Sequence, residues 1–309
     1  MKTKSYFFFA AALSIFAIAA CNTNDNEVTA ENKPAEQVPV TLTAQIESLT
    51  RGVAGATLND NYIESDQGIT VRMAPTSTTT FADLVYNTGS TGSLTPATVP
   101  HYYPTDGSGV DIRAYHPATA GAAASFSVQT NQSDDTGYIA SDLMWSDGHD
   151  NVSANYDAPP QVLTFAHKLC KIVVNATGIG GITQINTITL KQVKKTVTFD
   201  ATDGTVGVAS GDATNITMLT EGTTSPATAV AIIPAQTAGA NAVLEFACKN
   251  GSGTSVVATY ELTGKEFTAA HVYTFTLNVS WADVRGTNEV TDWTDGGTTP
   301  DKIYTTLGS

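Results

Sequence analysis

Val38-Pro39-Val40-Thr41-Leu42-Thr43-Ala44-Gln45-Ile46 places an apolar residue at every second position. A period of two marks a strand with one face buried, because successive side chains leave a pleated backbone on opposite sides. A helix would need apolar residues three and four apart, and no long segment of this chain has that spacing. Residues 61–73 and 109–116 read as further strands, with residues 75–80 and 87–96 between them rich in Thr, Ser, Gly and Pro. Gly and Pro break regular structure, so these are loop compositions. A turn of helix at residues 80–86 is the most helix this half is expected to hold.

The second half alternates more plainly. Cys170, Ile172 and Val174 share one face of a strand, and Ile185, Thr187 and Thr189 share a face of the next. Residues 195–206 read as a hairpin around Ala201-Thr202-Asp203-Gly204, and residues 241–263 as another around Asn250-Gly251-Ser252-Gly253. Residues 227–234 form a continuous apolar run suited to a central strand, and residues 271–281 close the series. Six or seven strands spaced by turns fit an antiparallel sandwich. The expected fold is all-β, with two tandem antiparallel Greek-key β-sandwich domains at 38–160 and 161–309. Asp157-Ala158-Pro159-Pro160 marks the boundary, since paired prolines stop a strand.

Composition agrees with this. The 309 residues fit about two domains. Threonine is the commonest residue, and only 14% of residues are charged, against ~25% in an average soluble protein. Thr, Val, Ile and Tyr suit a pleated surface, whereas the Lys, Glu and Arg of helix exteriors are scarce. The formal charge of -14 repels nucleic acid and anionic lipid, so neither is an expected partner.

Residues 1–20 read as an address. Lys2 and Lys4 precede a fifteen-residue apolar run, 6–20, too short for a bilayer that needs ~20 residues but right for a secretory signal. The run ends in Ile18-Ala19-Ala20-Cys21, which resembles a bacterial lipobox with Cys21 as the lipidated new N-terminus. Removal of Lys2 and Lys4 with the leader moves the charge from -14 to about -16. Residues 21–37 are polar and acidic and read as a disordered tether. Asp25 and Glu27 resemble an acidic surface-export signal. Outer-membrane anchoring by lipid, with the body exposed at the cell surface, is the expected location.

Chemistry-bearing patterns are sparse. His101, His116, His149, His167 and His271 are scattered, without the spacing of a zinc site. Asp147, His149 and Asp150, in the loop-like SDGHDN, lack the regular spacing of a calcium loop. Gly178-Ile179-Gly180-Gly181 is a bend between strands rather than a phosphate loop. There is no GxSxG elbow. No catalysis, cofactor or metal is expected. Cys170 and Cys248 fall on apolar stripes and read as buried thiols, with a disulfide between them as the open alternative in an oxidising envelope.

Several motifs in fixed order resemble the fimbrillin family of the Bacteroidales, lipoprotein subunits of type V pili. They are the lipobox, the strand closing at Thr50-Arg51, Ser141-Asp142-Leu143-Met144-Trp145 and the strand 162–174. Gly264-Lys265-Glu266-Phe267, leading into Tyr273-Thr274-Phe275-Thr276-Leu277, and the late Glu289-Val290-Thr291-Asp292-Trp293 complete the set. Cys170 departs from the small residue more usual at its position. The resemblance implies transthyretin-like sandwiches and assembly with other pilin subunits. It further implies a cut between Arg51 and Gly52 by an Arg-specific protease. The anchor would leave with the first strand (Val38, Val40, Leu42, Ala44, Ile46), and a C-terminal strand of the next subunit would refill the groove. Ile303, Thr305 and Leu307 are the candidate donor stripe. Beside this stands an Arg51 that merely ends a strand, and a His167 that simply packs.

A rival reading is a glycan-binding surface lipoprotein of a polysaccharide-uptake system. Flat aromatic rings stack on sugars, and Trp145, Trp281 and Trp293 are available. Trp145 and Trp293 fall within the family-like motifs and read as packing residues.

Overall fold

The computed structural model describes residues 37–46, 65–121, 125–154, 160–281 and 284–293. Almost all the regular structure in them is strand. The described residues form one compact unit.

Among the described residues seven strands build the barrel of the N-terminal part: β1 (Leu42–Ile46), β2 (Gly68–Pro75), β3 (Ala82–Thr88), β4 (Ser93–Pro96), β5 (Val110–His116), β6 (Met144–Val152) and β7 (Gln161–His167). They close into a barrel in the order β1-β4-β3-β2-β5-β6-β7. All pairs are antiparallel except β1 with β7, which run parallel from Leu42 opposite Gln161 to Ile46 opposite Phe165. Closure leaves no free sheet edge. The turn of helix expected at 80–86 is strand β3 instead. SDGHDN, expected as a loop, lies within β6, whose register shifts twice against β5. Gly148 there has φ +56, and a Cβ would come within 2.0 Å of the Ile112 carbonyl oxygen. The Gly and Asp that read as a turn therefore make a bulge.

The C-terminal part is a two-sheet sandwich. Its strands are β8 (Cys170–Gly178), β9 (Ile182–Val193), β10 (Thr214–Thr217), β11 (Leu219–Glu221), β12 (Ala227–Ile233), β13 (Val243–Asn250), β14 (Ser255–Glu261), β15 (His271–Val279) and β16 (Val284–Asp292). One sheet has the order β11-β12-β8-β15-β16 and the other β10-β9-β13-β14. Ile172, Val174, Phe275, Ile188, Leu190 and Phe246 are among the buried residues between them. The apolar run of β12 is internal to its sheet, as its sequence implies. On β9 the expected stripe Ile185, Thr187, Thr189 is broken. Register shifts between Ile185 and Thr187 send Ile188 and Leu190 inward instead, because one extra residue reverses the alternation. Nor does the series close at 281. Strand β16 pairs with β15 over nine residues, although its sequence hardly alternates. Gly286 is needed there, since a Cβ would meet the Thr276 carbonyl oxygen at 2.0 Å.

The chain passes from barrel to sandwich at Lys168-Leu169, after β7, not at the prolines preceding it. The β5–β6 connection carries the short helix α1 (Asp135–Ile139), capped by the Asp134 carboxylate accepting from Gly137 N at 2.8 Å. This connection lies on the sandwich. Gln132, fully buried, donates from Nε2 to Ile232 O and accepts from Ile232 N through Oε1, both at 2.8 Å. Phe126, Val128, Tyr138 and Leu143 join the sandwich core. Among the described residues no helix is long and apolar enough to cross a membrane.

Candidate functional site: the seat of the first strand

Strand β1 and the residues before it occupy a slot in the barrel wall. Val40, Leu42 and Ala44 are only 3%, 4% and 2% exposed, while Val38 and Ile46 pack at the margin of the same core. The outward positions 39, 41 and 45 are exposed. The five residues expected to face inward thus share one stripe. Ile69, Tyr86, Ile112, Leu163 and Phe165 belong to the core that receives them. Full burial of Val40 and Leu42 is worth roughly 1.5–3 kcal/mol each, and Ala44 less.

The two walls of the slot differ. On the β7 side the parallel ladder runs five residues, helped by Gln161 N donating to Thr41 O at 2.9 Å and Gln45 Nε2 to Thr164 Oγ1 at 3.0 Å. On the other side only Leu42–Leu94 and Thr43–Ser93 pair with β4. Hydrogen bonds from Val40 N to His101 O (2.8 Å), Tyr103 N to Val38 O (3.0 Å) and Ala44 N to Gly92 O (2.6 Å) complete that wall. His101 is itself fixed, its amide donating to the Tyr86 hydroxyl at 2.7 Å and its Nε2 meeting Val71 O at 3.0 Å. Burial lowers the His101 pKa below its usual value, so the neutral ring donates to that carbonyl.

A second constellation was not legible as one. Asp142, His167 and Trp293, drawn from three separate family-like motifs, meet where barrel and sandwich join. His167 Nδ1 lies 2.8 Å from Asp142 Oδ1, and its ring stacks on Trp293 at 3.8 Å between centroids and 9° between planes. His116 Nδ1 donates to the Asp142 carbonyl at 2.9 Å. Trp145 reaches the 201–204 hairpin, donating from Nε1 to Ala201 O at 3.1 Å and covering Gly204, where a Cβ would touch its ring at 2.4 Å. Lys168 Nζ sits 4.9 Å from the Trp145 ring centroid. The signal available in the sequence was position: 141–145, 167–168 and 293 all fall where strands begin or end. Trp145 and Trp293 are packing residues here, as expected, and His167 packs against a carboxylate and an indole.

Cys21, Arg51, Gly52, Ile303, Thr305 and Leu307 lie outside the described residues. Cys170 and Cys248 are both free and buried. Burial pushes their thiols up to about 12 and about 11, which leaves little thiolate at neutral pH. Among the described residues no three His, Cys, Asp or Glu side chains are grouped to hold a metal. Asp150 instead pairs with Arg113 Nη2 at 2.6 Å, and His149 Nε2 meets Val162 O at 2.8 Å.

A barrel closed by its own first strand is thus joined to a two-sheet sandwich by a buried aromatic and polar clasp. The fimbrillin-like family model matches residues 50–293, and the chain belongs to that family. Solved structures share the fold. A proposed cell adhesion protein from Bacteroides uniformis is 22% identical, with a TM-score of 0.61 over 82% of this chain and 98% of its own. Another from Bacteroides ovatus is 18% identical, with a TM-score of 0.62 over 84% and 98%. A third, from Bacteroides fragilis, is 15% identical, with a TM-score of 0.51 over 84% and 100%. A search of curated proteins gave no match.

Proposed function

We propose that this protein is a surface-exposed pilus subunit or adhesin, anchored through lipid on Cys21 and assembled with other pilin subunits by strand exchange after cleavage between Arg51 and Gly52. The seat of β1 carries this reading. Residues 38–46 fill an apolar slot, yet they pair over only two register positions with β4 and stand apart from β2 in sequence. Loss of that segment would leave the inner edges of β4 and β7 with unpaired backbone groups and an apolar groove between them. A donor strand supplies both needs at once. Ile303, Thr305 and Leu307 are the proposed donor stripe of the next copy. No catalytic step is part of this role.

The N-terminus of the protein recovered from cells tests it. Lipidated Cys21 identifies a retained anchor, and Gly52 a processed, polymerising subunit. Treatment with an Arg-specific protease should give ladders that resist SDS, and deletion of residues 297–309 should abolish them. Confirmed cleavage without ladders removes the stalk-subunit role.

A further inference from the structure

Four connections gather at one end of the sandwich. Gly178 N donates to Ser225 Oγ at 2.7 Å, joining the β8–β9 bend to the β11–β12 connection. Gly251 N donates to Gly181 O at 3.1 Å, joining the β13–β14 turn to the same bend. Trp281, just after β15, has the edge of its ring beside Gly180, where a Cβ would be 3.9 Å from the indole Cδ1. The glycine leaves room beside the ring, and Trp281 is 70% exposed. Tryptophan is large and usually well covered, so an indole this exposed asks what it meets.

We infer that Trp281 and the polar turns beside it form a binding site for a neutral carbohydrate chain. A pyranose offers a flat face of C–H bonds that packs on an indole, ringed by hydroxyls that need hydrogen-bond partners. Both are provided. Residues 178–182, 222–226 and 250–254 contain no charged residue in a chain with 29 Asp and Glu, and instead carry Thr223, Thr224, Asn250, Ser252 and Thr254. Asp283, the nearest acid in sequence, lies outside the described residues. The turn is already set, with Asn250 Oδ1 accepting from Ser252 N (3.1 Å), Ser252 Oγ (2.7 Å) and Thr254 N (2.9 Å). Preformed polar groups cost less ordering on binding. A protein partner fits the surface less well, since protein contacts centre on clusters of apolar anchors, and of these turns only Ile179, 47% exposed, adds a large apolar side chain.

The site does not depend on strand exchange, so the uncleaved full chain tests it alone. Its migration is compared in native gels with and without starch, β-glucan, xylan or mannan. Retardation by at least one polysaccharide is expected, falling at least tenfold in apparent affinity for Trp281→Ala and largely kept by Trp281→Phe. Because the side chain is exposed, Trp281→Ala should melt with the parent protein. Passage through all four gels unretarded, or retardation that Trp281→Ala leaves unchanged, overturns the site. Ladder formation by the same Trp281→Ala variant after protease treatment separates this outcome from any failure of the assembly reading.

Discussion

At the scale of single residues, two buried histidines make the fold sensitive to acid. His116 is essentially solvent-free, and burial lowers its pKa, opposed by Asp142 and reinforced by His167. Burial likewise lowers His101. A histidine with a depressed pKa binds fewer protons in the folded than in the unfolded chain at mildly acid pH. Its contribution is therefore complete above the unfolded value of ~6.5 and is lost as pH falls through the folded value. The urea midpoint should fall on acidification below pH ~6.5, and less steeply in His116→Gln. A midpoint unchanged from about pH 7 to 5 would show that neither ring must stay neutral.

At the scale of elements, β1 shows what alternation specifies and β9, β6 and β16 show where it stops. Val40, Leu42 and Ala44 point inward because nothing interrupts their period, so the buried stripe could be read from nine residues. Strand β9 could not be read to its end, since a bulge is a property of the pair of strands and leaves no mark in one of them. The Gly and Asp of β6 have the composition of a turn but serve a bulge against β5. Strand β16 is an edge strand, and its Arg285, Gly286, Thr287 and Asn288 carry little apolar pattern. The clasp of Asp142, His167 and Trp293 was illegible for a related reason: its members come from three distant strand ends, and their encounter is set by tertiary packing. The stripe of β1 makes a sharp contrast testable. Leu42→Ala should cost about 2–5 kcal/mol by leaving a cavity in the barrel, whereas outward Thr41→Ala should stay within about 0.5 kcal/mol. Equal costs in urea titrations would mean that β1 is not seated by its apolar face.

At the scale of the whole molecule, barrel and sandwich behave as one body because the β5–β6 connection belongs to both. It leaves the barrel at His116, lays Phe126 against Val197 in a short ladder, inserts Gln132 beside Ile232, and returns to the barrel at Met144. Such sharing couples the two halves, since neither can unfold without exposing core of the other. A single calorimetric transition is therefore expected for the body. Gln132→Ala gives the sharper test. It strands the Ile232 amide and carbonyl without their side-chain partners, and each such buried group costs about 1–3 kcal/mol. For a body of this size 1 kcal/mol moves Tm by roughly 2–4 °C, so a fall of about 4–24 °C follows, with barrel and sandwich still melting together. Two separate transitions in the parent protein would show that the connection only rests on the sandwich. A split that arises only in Gln132→Ala would instead place the coupling in that one amide, and Trp293→Ala would then leave the transition single while lowering its midpoint.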